Sequence, residues 1–91
     1  MKKRLHAIVS GNVQGVNYRY FALHWAQQFE VFGFARNTEN EEVEVVAEGE
    51  EQKLKEFLEK LRAGPSYALV KKVSANWLDA TGEFSSFEII H

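Results

Sequence analysis

Ser10-Gly11-Asn12-Val13-Gln14-Gly15-Val16-Asn17-Tyr18-Arg19 joins two runs of different hydrophobic period. Before it, Arg4 to Val13 alternates well enough for a strand, with Leu5, Ala7 and Val9 on one face. After it, Tyr18, Phe21, Trp25 and Phe29 recur at three- and four-residue spacing. With Ala22 and Ala26 alongside, they predict an amphipathic helix ending near Glu30. Gly11 and Gly15 let the connecting backbone turn tightly, so that successive N–H groups can converge on one anion. The helix adds its own unpaired N–H groups and the positive end of its dipole. Arg19 falls in or just before the first helical turn, where that dipole disfavours a cation. A cation in that place suggests a negative guest between it and the backbone, such as a phosphate.

The rest of the chain reads as strand, strand, helix, strand and a short final strand. Val31 to Arg36 is apolar on both faces, Asn37 to Glu41 is a polar turn, and Glu42 to Glu48 alternates, which together predict a β-hairpin. Gly49 is expected to break that strand and to cap the next helix. Glu50 and Glu51 then fall in the helix's first turn, as its dipole prefers. Leu54, Phe57, Leu58 and Leu61 give i, i+3, i+4, i+7, and Gly64-Pro65 stops the helix. Ala68 to Leu78 predicts a strand with Leu69 and Val73 set against Lys71 and Lys72. Asp79 to Ser85 reads as a turn region and Phe87 to Ile90 as a short terminal strand. The order βαββαβ, with one added strand, predicts a ferredoxin-like α/β sandwich of the α+β class, its two helices on one face of an antiparallel sheet.

Composition narrows the function classes. Ninety-one residues, 45% of them hydrophobic, suffice for one domain spanning residues 1–91 with its own core. The absence of cysteine removes a disulfide framework, a thiolate zinc site and a cysteine nucleophile. Lys2, Lys3 and Arg4 resemble the start of a signal peptide, but no apolar run follows, so a cytoplasmic protein without a membrane partner is expected. The net charge is −2, and nine of the thirteen acids lie between Glu39 and Glu59, opposed there only by Lys53 and Lys55. Such a surface repels polyanions, which argues against nucleic acid as a partner.

Gly11-Asn12-Val13-Gln14-Gly15-Val16-Asn17-Tyr18-Arg19 closely resembles the acylphosphatase signature, a Gly-x-Val-Gln-Gly-Val-x-[Phe/Tyr]-Arg run. Phe32-Gly33-Phe34-Ala35-Arg36-Asn37 is similar to that family's second motif, which ends on an asparagine after a strand. The similarity continues through Val43-Glu44, Glu48-Gly49, Gly64-Pro65 and Phe87-Glu88-Ile89, and so covers essentially the whole chain. One departure is Asn40-Glu41, where relatives usually carry Asp-Gly; a left-handed Glu41 would cost about 1 kcal/mol relative to glycine.

The resemblance implies a metal-independent hydrolase of acyl phosphates that uses no cofactor. Its phosphate-binding backbone loop would be Gln14, Gly15, Val16, Asn17, Tyr18 and Arg19. Arg19 would hold the phosphate and Asn37 would position the attacking water, with Thr38 assisting. Its partners would be a small acyl phosphate as substrate and inorganic phosphate as product, and the chain would act as a monomer. The predicted topology agrees, because it makes the first and second strands parallel, about 10 Å apart across one intervening strand. The loop after the first strand and Asn37 at the end of the second then open on the same edge of the sheet. Arginine's fork can hold two phosphate oxygens, and an amide can orient water but is no strong base.

In phosphatases with a cysteine nucleophile, that residue stands six before the arginine, and here the position is Val13. Direct attack by water is therefore expected, without a phosphoenzyme. The rival reading is a ferredoxin-like binding module for RNA or a ligand. Phe32-Gly33-Phe34-Ala35 superficially matches an RNA-recognition motif but falls on the second strand instead of the third. His6, His24 and His91 lack metal-ligand spacing and indicate no acidic partner. The hairpin acids Glu39, Glu41, Glu42 and Glu44 read as a solvated face.

Overall fold

The computed structural model describes residues 1–91. Its elements are β1 (Lys2–Asn12), α1 (Tyr18–Phe29), β2 (Phe32–Asn37), β3 (Val43–Glu50), α2 (Glu51–Ala63), β4 (Leu69–Asp79) and β5 (Phe87–Ile90). They form one five-stranded sheet in the order β4-β1-β3-β2-β5. The β1–β3, β1–β4 and β2–β3 pairs are antiparallel, while β5 joins β2 in parallel, so the expected ferredoxin-like sheet gains a mixed edge. β1 and β2 both run antiparallel to β3 and are therefore parallel to each other. Their C-terminal ends open on the same edge.

The two periodicities meet in the core. Leu5, Ala7 and Val9 of β1, Ala35 of β2, and Val43, Val45 and Ala47 of β3 are fully buried beneath the helices. α1 lays down Tyr18, Ala22 and Ala26, whose small alanines bring the helix close to the sheet, and α2 lays down Leu54, Phe57, Leu58 and Leu61. Burying each of these Leu and Phe side chains contributes about 1.5–3 kcal/mol. α1 has no side-chain cap, no acid in its first turn and no base in its last, so apart from this packing it is closed by a left-handed Glu30 and by the Val31 N–H, which donates to the Ala26 carbonyl at 3.0 Å. The buried Tyr18 hydroxyl donates to the Leu61 carbonyl at 2.7 Å, tying the start of α1 to the end of α2.

The register between β1 and β4 shifts between Ser10 and Gly11, which face Lys72 and Val70, so Lys71 is an extra, bulged residue. Alternation fails across a bulge: Val70 and Val73 both pack on the core, and Leu69 is left 57% exposed instead of facing inward. Gly11 sits at that bulge with φ 133°, and any Cβ there would lie 2.0 Å from the Leu69 carbonyl oxygen.

Gly49 does not break β3, which continues to Glu50. A Cβ at Gly49 would stand 2.8 Å from Val31 Cγ1, so close packing of the chain between α1 and β2 explains this glycine. β4 likewise runs on through Asp79, one residue into the expected turn region. The hairpin turn does place Glu41 in the left-handed region, at φ 62°. No helix is long and apolar enough to cross a membrane.

Candidate active site

The segment from Val13 to Asn17 links β1 to α1 at the edge where β2 also ends. Val13 is buried, which anchors the segment from beneath. Gly15 takes φ 74° with open space where a Cβ would be, and Asn17 is also left-handed at φ 60°. That pair of left-handed residues makes the segment turn sharply before the helix begins. Asn17 is the N-cap residue but caps no N–H with its side chain, and its carbonyl receives the N–H groups of Tyr20 and Phe21. None of the backbone N–H groups of Gly15, Val16, Asn17, Tyr18 and Arg19 donates to a main-chain acceptor.

The loop's side chains divide by task. Gln14 Nε2 donates to the carbonyls of Thr38 (2.9 Å) and Glu42 (2.8 Å), which staples the loop to the β2–β3 turn. The hydroxyl of Thr38 receives the N–H groups of Asn40 and Glu42, both at 3.2 Å, and so closes that turn. Val16 and Tyr18 pack on the core and offer the site only their backbone. Burial pushes the Tyr18 hydroxyl well above its ordinary pKa.

Arg19 and Asn37 come together. With Arg36, Ile90 and His91 they line a cleft of about 250 Å³. Arg19 NH1 donates to the Ile90 carbonyl at 2.8 Å and lies 3.4 Å from His91 Nδ1. Asn37 Oδ1 is buried and has no hydrogen-bond partner in the protein, which a folded chain rarely tolerates without a donor nearby. The residues from Gln14 to Tyr18 adjoin this cleft through the chain but do not line it.

Arg36 and His91 are not among the residues that the sequence assigns to the site. The signal for Arg36 is its place beside Asn37, opposite Glu44 in the hairpin register. His6, expected to lack an acidic partner, lies with its Nε2 2.7 Å from Glu44 Oε2. Glu44 also accepts from Arg36 Nε at 2.5 Å, and Glu42 accepts from the Ser10 hydroxyl at 2.8 Å. These two hairpin acids are thus held by named partners, not simply solvated. Burial raises the Glu44 pKa, but the hydrogen bonds and charges of His6 and Arg36 outweigh it and leave the group below the ordinary carboxylate value.

Comparison with known proteins identifies the family. The family model described as acylphosphatase matches residues 5–89. An acylphosphatase of Dehalococcoides mccartyi strain CBDB1 is 49% identical over 88 residues, covering 96% of this chain and 97% of the relative. The crystal structure of acylphosphatase from Bacillus subtilis superposes with a TM-score of 0.93 at 30% identity, covering 98% of this chain and 99% of that one. An acylphosphatase structure from Coxiella burnetii superposes with a TM-score of 0.86 at 32% identity, covering 98% and 93%. With its fold, its two motifs and these similarities in agreement along the chain, the protein belongs to the acylphosphatase family of enzymes.

Proposed function

We propose that this chain hydrolyses acyl phosphates by direct attack of a water positioned by Asn37 on a phosphoryl group held by the loop Gln14–Arg19. The observation that carries this reading is the meeting of Arg19, from the start of α1, and Asn37, from the end of β2, in one cleft. The unpaired N–H groups from Gly15 to Arg19 offer a preorganised array of donors, and Arg19 adds a fork that matches phosphate oxygens. Asn37 orients the water through its amide. Rotation about χ2 exchanges Oδ1 and Nδ2, so the amide can present an acceptor to one water proton. Thr38 supports Asn37 by closing the turn that follows it.

The chemistry suits so spare a site. The water oxygen forms a bond to phosphorus as the bond from phosphorus to the acyl oxygen breaks, and the bonding pair leaves with the carboxylate. A doubly charged acyl phosphate plus water gives a carboxylate and dihydrogen phosphate, so both water protons remain on the phosphate. A carboxylate is a good leaving group because its conjugate acid has a pKa of about 4. The protein then supplies positioning and charge stabilisation. Phosphate monoesters, among the slowest of all substrates to hydrolyse unaided, demand far more.

Val13 at the nucleophile position of cysteine phosphatases supports a path without a phosphoenzyme. The reading needs no metal or cofactor. It takes residues 1–91 as one domain acting as a cytoplasmic monomer on a small substrate. The open sheet face, where an RNA-binding module presents its aromatic residues, has Phe34 covered by Phe84 and paired with Glu88, between Glu44 and Glu48.

The test is hydrolysis of benzoyl phosphate in ¹⁸O-labelled water with a chelator present. The expected result is turnover that the chelator does not reduce, with the label in inorganic phosphate. Label in the benzoate, or activity abolished by chelation, overturns the mechanism.

A further inference from the structure

Arg36 stands in the cleft on terms unlike those of Arg19. It precedes Asn37 on β2, so its side chain leaves the sheet on the face opposite Ala35, where Glu44 of β3 lies directly across the ladder. Glu44 takes only Nε of Arg36, at 2.5 Å, and spends its other oxygen on His6 at 2.7 Å. The guanidinium is therefore held by its inner edge, while neither NH1 nor NH2 hydrogen-bonds to the protein. That outer edge presents two parallel N–H donors, the geometry that recognises a carboxylate or phosphate bidentately. The Arg36 side chain is 45% exposed and lines the cleft, whereas Glu44 does not line it.

The cleft thus holds two guanidinium groups and no Asp or Glu side chain. On the reading above, on which this inference rests, the loop and Arg19 already account for the phosphoryl group. We propose that Arg36 is a specificity-determining residue that recognises a second anionic group on the acyl part of the substrate. The preferred substrates are then acyl phosphates whose acyl chain carries a further carboxylate or phosphate.

The test compares kcat/KM for para-carboxybenzoyl phosphate and for its neutral isostere, para-carbamoylbenzoyl phosphate. It uses the wild type, Arg36→Gln and Arg36→Lys. Both substrates are measured on the same sample, so their ratio does not depend on the folded fraction. The wild type is expected to favour the carboxylated substrate by about tenfold or more at low salt, as a charge-assisted bidentate pair allows. That preference should shrink as salt is added, because the pair is half-exposed. Arg36→Gln is expected to bring the ratio to one or below. Arg36→Lys should fall between, keeping the charge but losing the fork.

A wild-type ratio of one or less overturns the proposal. So does an Arg36→Gln variant that slows both substrates equally, which would place Arg36 on the phosphoryl group instead. Failure of the wild type to hydrolyse either compound, or benzoyl phosphate, overturns the hydrolytic reading as well and is distinct from both of those results.

Discussion

At one end of the sheet the Glu48 carboxylate accepts from Arg4 Nε at 2.7 Å, from the N–H groups of Thr81 and Gly82, each at 2.9 Å, and from the Thr81 hydroxyl at 3.1 Å. At the other end, the N–H groups from Gly15 to Arg19 reach no main-chain acceptor, and Asn37 Oδ1 has no partner at all. Both ends present polar groups, and only one of them satisfies those groups from within the protein.

The first end is a clasp. Glu48 is only 7% exposed; Arg4 also pairs with Glu83 and lies 5.2 Å from the Phe84 ring centroid, so the loop 80–86 is pinned across the open face of the sheet. The second end is the proposed site, because unpaired N–H donors are what an anionic guest can meet. On the proposed function, stability is concentrated where polar groups are saturated, and chemistry where they are left free.

That contrast can be broken by substitutions at either end. The largest effect is expected from Arg19→Ala, which should lower kcat/KM for benzoyl phosphate by about 10³-fold or more while leaving thermal stability within about 0.5 kcal/mol. A variant that unfolds instead would make Arg19 part of the scaffold.

Glu48→Ala should do the reverse. It removes the partner of a half-buried arginine and is expected to destabilise the fold by about 3 kcal/mol in urea unfolding. Activity per folded molecule should be retained. The pH dependence follows from the same group. Burial works against the Glu48 charge, but the Thr81 and Gly82 N–H groups, Arg4 and the Thr81 hydroxyl prevail and hold its pKa at about 2, against an ordinary 4.5. A depressed folded-state pKa stabilises the protein fully above the unfolded value. The Glu48 contribution should therefore be present above pH 4.5 and fade towards pH 2, and Glu48→Ala should flatten that part of the curve.

Gln14→Ala gives the smallest of these effects and sharpens the comparison, since Gln14 joins the two halves of the site. Loss of its two bonds to the turn should cost about 1–2 kcal/mol and lower kcat by about tenfold, through misplaced geometry rather than lost chemistry. An unchanged kcat would mean that the loop and the hairpin hold their relative position without it.

Much of the functional end was legible in the residues themselves. The change of period at Tyr18, the glycines and the out-of-place Arg19 are local features, and the parallel relation of β1 and β2 follows from element order. Asn37 needed its motif, since an asparagine at a turn is otherwise unremarked.

The clasp was not legible. Alternation along Glu42 to Glu48 shows which side chains share a face, but not that the loop 80–86 folds across that face. Arg4 and Glu48 are 44 positions apart, and His6 and Glu44 are 38 apart. Arg36 stands on the open face of the sheet, and alternation alone does not show that its guanidinium lines the cleft with Asn37. The Lys71 bulge hid the true inward face of β4, because one extra residue exchanges the two faces.

The division of labour within the site is tested most directly by Asn37→Ala, measured for both inorganic phosphate affinity and benzoyl phosphate turnover. If the loop binds and the hairpin positions water, phosphate Kd should stay within about threefold of wild type while kcat falls by about 10²-fold. A Kd that weakens as much as the rate falls would put Asn37 on the phosphate, and an unchanged kcat would remove it from the reaction.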